Sequence, residues 1–131
     1  MNKAWSELNK TMQAQIKKKD TCEAGIGTLF DLRNQLMETL TSFHEELSRE
    51  DFDAILFINA DGYHSKTIAY SIWHIFRIED IVAHTLISEN EQVFFSGNYQ
   101  ERINSPIITT GNELVKEQIA DFSKRLNLKE L

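Results

Sequence analysis

Four histidines, one cysteine and an acidic pair hold most of the reactive chemistry in this 131-residue chain. His74 stands in "SIWHIFRIED", residues 71–80, beside Trp73 and among isoleucines, with Glu79 and Asp80 following. An imidazole so placed is either a hydrogen-bonded core residue or a metal ligand. Helical spacing turns Glu79 toward an apolar face, where a lone carboxylate is strongly unfavourable. Arg33 is the matching oddity, set within the apolar stripe of an earlier helix, so a buried Arg33–Glu79 pair is expected. A ligand-binding carboxylate and plain exposure by a rotated helix are the other two readings of Glu79. His44 borders the same earlier stripe, ahead of Glu45 and Glu46. His64 lies in a loop able to swing toward one end of the bundle. His84 falls on a polar arc and is expected to be solvated. Cys22, close to a helix start, reads as a small packing residue rather than a nucleophile.

Spacing excludes several chemistries. No histidine has another four residues on, so there is no helical zinc-binding pair. "HEEL" at His44 lacks the second histidine of a zincin, and no Glu-x-x-His supports a di-iron carboxylate bundle. Neither a phosphate-binding glycine loop nor an EF-hand loop is present. No local signature marks a Ser-His-Asp triad, and the catalytic residues, if any, are not identified by the sequence.

Helical periodicity runs through nearly the whole chain. Trp5, Leu8, Met12 and Ile16 make a short amphipathic helix. A second helix runs from Asp20 or Thr21 to about Leu47, with Ile26, Leu29, Phe30, Arg33, Leu36, Met37, Leu40, Phe43, His44 and Leu47 along one stripe. Gly25 and Gly27 weaken its start and mark a kink or a close helix approach. Ser48-Arg49-Glu50-Asp51 reads as the start of a short capped turn or helix. A third helix begins after Ser65 or Thr67 and ends near Ser88. Its wheel places Ile68, Ile72, Phe76, Ala83 and Leu86 on one face around Glu79, and Trp73, Arg77, Asp80 and His84 on the polar arc. A long aromatic connection follows. Thr110-Gly111-Asn112-Glu113 then reads as a capping box opening a fourth helix with Leu114, Val115, Ile119, Phe122 and Leu126. The expected fold is all-α, one antiparallel, up-and-down four-helix bundle over residues 1–131, with a long connection before the last helix.

A formal net charge of −6 opposes general phosphate-backbone binding, so no nucleic-acid partner is expected. No membrane partner is expected either, because no apolar run nears the roughly 18 residues a span needs. Lys17-Lys18-Lys19 is the one basic run, and it suits a helix C-terminus. Residues 1–16 lack the apolar stretch of a signal peptide, and a single cysteine forms no internal disulfide; both point to a reducing cytoplasm.

The stretch "TIAYSIWHIFRIEDIVAHTLI" resembles the DinB-like (YfiT-like) superfamily of bacterial four-helix-bundle proteins. Ile68, Ala69, Trp73-His74 and Arg77-Ile78-Glu79-Asp80 carry the likeness. Gln92-Val93-Phe94, Tyr99, Arg102 and Thr110-Gly111-Asn112 extend it, and "GIGTLFDLRNQLMETL" fits more loosely, so it covers roughly residues 20–131, with residues 1–19 as an added helix. The resemblance implies a divalent metal, zinc or nickel, held by three histidines, with His74 at one ligand position. The family's His-x-x-x-His pair on its last helix has no counterpart here, and "LNLKEL" looks like the cap and first turn of that helix. His44, His64 or a carboxylate would have to complete any site. The family also implies two kinds of function. One is a metal-dependent thiol-transferase or isomerase. The other, favoured by the missing ligands, is a homodimeric module with a vestigial or incomplete metal site. No small-molecule ligand is indicated.

Overall fold

The computed structural model describes residues 2–56, 58–61 and 65–131. It is all-α as expected, with no strand among the described residues. The chain divides into two compact units, residues 1–46 and 47–131. No described helix is long and apolar enough to cross a membrane.

The first unit is a helical hairpin of α1 (Lys3–Ile16) and α2 (Cys22–Glu46), joined through a 3₁₀ turn at Lys19–Thr21. Asn2 caps α1, its side-chain oxygen accepting the amide of Trp5 at 2.9 Å. At the other end, the Thr21 hydroxyl donates to the Gln15 carbonyl at 2.8 Å, tying the turn to the last residues of α1. Gly25 explains why the helices can meet here. A Cβ at this position would lie 2.8 Å from the backbone nitrogen of Ile16 and 2.9 Å from its Cγ1, so α2 approaches the end of α1 as closely as a glycine allows. Gly27 faces open space. Leu32 and Leu40 are the buried side chains of α2, while Ile26, Leu29 and Phe30 are exposed.

The second unit begins with α3 (Arg49–Asp53), held by a reciprocal capping box in which Ser48 and Asp51 exchange hydrogen bonds. Those bonds, from the Ser48 backbone and then its side chain, hold the Asp51 carboxyl below its ordinary pKa. The central helix is α4 (Ile68–Asp80), which starts where the sequence places it. Its cap residue Thr67 accepts the amide of Tyr70 at 3.0 Å and donates to the Ser123 hydroxyl at 2.7 Å. From Ile81 to Ile87 the same rod continues as a π-helix, with i→i+5 bonding. Two single-turn helices follow, α5 (Val93–Ser96) and α6 (Tyr99–Arg102), and then α7 (Glu117–Arg125). Phe52, Ile72, Trp73, Phe122 and Leu126 form the core of this unit. Arg49 braces it: its Nε pairs with Asp53 at 2.6 Å while its two terminal nitrogens donate to the carbonyls of Leu126 and Ser123. Those carbonyls close the C-terminal end of α7, where helix acceptors otherwise go unmet.

Two expectations need correction. Residues 110–113 do not open a helix; α7 starts at Glu117. Glu113 is engaged by the Thr109 hydroxyl rather than by Thr110, and Gly111 takes a φ of +78°, which breaks any helical run. The wheel of the third helix also needs revision. Its polar arc is buried beside part of the apolar face, with Trp73 1%, Arg77 2% and Ile72 3% exposed, whereas Leu86 from the apolar face is 67% exposed. Large partly polar side chains can be buried once acceptors are supplied, and the π-winding spoils a 100° projection beyond Asp80.

The two helical glycines of the hairpin should respond oppositely to alanine. Gly25→Ala forces a backbone shift and should lower stability by about 1–3 kcal/mol. Gly27→Ala meets nothing and should raise it by about 0.5–1 kcal/mol. Denaturant midpoints of the two variants check the pair.

Candidate functional site

His74 lies midway along α4, half-buried, on the side covered by the loop of residues 109–113. Its Nδ1 is 2.5 Å from the Thr110 carbonyl oxygen. A carbonyl only accepts, so Nδ1 carries the proton and Nε2 of the neutral ring keeps the lone pair. The Tyr70 ring stacks on the imidazole, with centroids 5.4 Å apart and planes 14° from parallel. The Tyr70 hydroxyl donates to the Gly111 carbonyl at 3.1 Å. Burial, reinforced by the Glu113 carboxylate, pushes the phenol's pKa up, so it stays a donor. Gly111 presses so closely on the indole of Trp73 that a Cβ there would sit 2.6 Å from Cζ3. One loop thus fixes three successive ring side chains of α4.

One turn further on, Arg77 is buried with its charge. Its guanidinium donates to Asp80 Oδ2 at 3.1 Å, to Gln92 Oε1 at 2.8 Å and to the Ile108 carbonyl at 2.6 Å. The Phe94 ring lies 3.9 Å from its central carbon, in cation–π contact. Burial lowers the guanidinium's pKa and Asp80 opposes the shift, and the group remains cationic. Asp80 in turn accepts the amides of Val93 and Phe94, each at 2.9 Å, and so fastens the start of α5. His84 stands 3.7 Å from the same carboxylate and donates through Nδ1 to Asn90 Oδ1 at 2.7 Å. Expected to be merely solvated, His84 belongs to this network. The indole Nε1 of Trp73 and Nε of Arg77 are buried and meet no acceptor among the described residues.

The other expected site residues fall on different parts of the chain. His44 is exposed near the end of α2 in the first unit, and His64 lies outside the described residues. Arg33 lies on α2 in the first unit and Glu79 is half-buried on α4 in the second. Among the described residues no three of His, Cys, Asp and Glu gather as a metal group. His74 alone offers one nitrogen, and one imidazole does not satisfy a divalent zinc or nickel ion. Reading residues singly missed the Arg77–Asp80 cluster. Its signal is the i,i+3 spacing of opposite charges on an otherwise apolar helix. Comparison with known proteins finds no matching family model, no similar curated protein and no similar solved structure.

Removing the buried cation should loosen the whole segment it holds. Arg77→Ala leaves Asp80 poorly compensated and should cost about 3–5 kcal/mol, read from the denaturant midpoint. Limited proteolysis of the same variant should cut first within residues 89–111. For His74, nitrogen-15 NMR at a pH where the ring is neutral should report the Nδ1–H form, and a dominant Nε2–H form would contradict the Thr110 contact.

Proposed function

We propose that this chain is a DinB-like, bundle-type helical module that works by self-association rather than by catalysis. The observation that carries the reading is the extent of apolar surface on its two longest rods. On α2, Ile26, Leu29 and Phe30 are exposed; on α4 and its π-helical extension, so are Ile75, Ile78, Val82, Leu86 and Ile87. These recur at helical spacing instead of being scattered singly, and contiguous apolar patches of this kind mark interaction surfaces. The state of His74 agrees with the reading. Its ring is stacked on Tyr70 and tied to the Thr110 carbonyl, a packing role that needs no ligand.

A second reading rests on one specific contact. Anchoring Nδ1 on a carbonyl is how proteins orient a histidine whose Nε2 is to serve as a ligand. A metal-dependent enzyme of thiol-transferase or isomerase type would use His74 in that way, with its remaining ligands supplied from outside the described residues.

Light scattering and elemental analysis of the purified, untagged full chain, with His74→Ala alongside, separate the two. A dimeric mass without stoichiometric metal is the expected result. A metal near one per chain that disappears in His74→Ala would replace the module reading with the enzyme reading.

A further inference from the structure

We propose that the hollow between α6 and the end of α7 binds a small zwitterion of amino-acid type. The hollow lies wholly within the second unit and has a volume of about 450 Å³. Gln100, Glu101, Asn104, Ser105, Pro106 and Arg125 line it. Small-molecule sites occupy a few hundred Å³, so the size suits a ligand of this kind. The site stands apart from His74 and from the apolar faces, and the inference goes beyond the module reading without resting on it.

The walls are tied together before anything binds. Asn104 takes a left-handed backbone, φ +61°, and its side-chain amide donates to the Arg125 carbonyl at 2.9 Å. The backbone amide of Asn127 donates to the Ile103 carbonyl at 2.7 Å, and Arg102 pairs with Glu130 at 2.7 Å. Inside the loop, the Ser105 amide donates to the Gln100 carbonyl at 2.9 Å. These bonds hold α6 and the loop after it against the end of α7, and a preformed site spares a ligand the cost of ordering it.

Two opposite charges line this hollow without meeting. Arg125 makes no ion pair with Glu101, and among the described residues its guanidinium has no acceptor. Glu101 accepts the Asn98 side-chain amide on Oε2 at 3.0 Å, which leaves Oε1 open among the described residues. The fork of a guanidinium matches a carboxylate, and a carboxylate accepts from an ammonium. A ligand with one charge would answer one wall and leave the other unmatched. A ligand carrying both answers the pair, its carboxylate toward Arg125 and its ammonium toward Glu101.

The test is nitrogen-15 NMR of the full chain, titrated at millimolar concentration with free amino acids and with glycylglycine. A free probe should shift the amides of residues 100–105 and 125 together and saturably. Its N-acetylated and C-amidated forms, each lacking one charge, should bind about tenfold more weakly, as should the free probe to Arg125→Gln or Glu101→Gln. Both substitutions fall at exposed positions, and retained spectral dispersion verifies the fold. N-acetylation should cost nothing further on Glu101→Gln, nor amidation on Arg125→Gln, which assigns each wall charge to one end of the ligand. No clustered shift with any probe, or binding indifferent to both substitutions, would overturn the proposal.

Discussion

A buried guanidinium cannot be left without acceptors, and much of the second unit follows from that requirement at Arg77. Its position on the central helix is fixed early in the chain, but only Asp80 among its partners is local. Gln92 and the Ile108 carbonyl come from the connection beyond, and the Phe94 ring lies against the cation. The connection of residues 92–108 must therefore fold back over α4, bringing short helical turns that have little stability by themselves. Asp80 couples the two halves of the task. The carboxylate that balances the cation also receives the first amides of α5. The long aromatic stretch is in this sense the lining of a charged site, and its phenylalanines pack where the cation needs a desolvated but polarisable neighbour.

The same logic governs how much could be read in advance. Thr67 and Ser48 were legible as helix starts because a cap acts through atoms only two or three residues away. The all-α character was legible because a period near 3.6 repeats along the chain. The burial of the polar arc was not, since that of Arg77 depends on acceptors up to 31 residues further on. Thr110 to Glu113 has the letters of a capping box, yet Trp73 and Tyr70 hold Gly111 where its backbone is left-handed. Local chemistry lost there to tertiary contact. At the candidate site the residue of interest, His74, was visible from its unusual neighbours. Its support was not, because a backbone carbonyl has no letter in the sequence.

The anchoring loop gives His74 two roles that cannot be separated. Gly111 packs against Trp73 and accepts from Tyr70, and the adjoining Thr110 carbonyl sets the imidazole's proton and orientation. A histidine held in this manner keeps a defined donor and a defined acceptor face whether or not anything binds it. Packing alone is enough to preserve the arrangement.

The π-helical run from Ile81 to Ile87 carries a consequence for insertions and deletions. Such winding stores surplus residues within a rod that would otherwise be α-helical. Deleting one residue between Ile81 and Ile87 would allow the ladder to relax toward i→i+4 bonding, and the side chains beyond the run would keep nearly their present direction, because the residue removed is the surplus one. Chains that share the Trp-His-x-x-Arg-Ile-Glu-Asp run but are one residue shorter just after it would accordingly keep both the buried cation and the direction of whatever follows the rod.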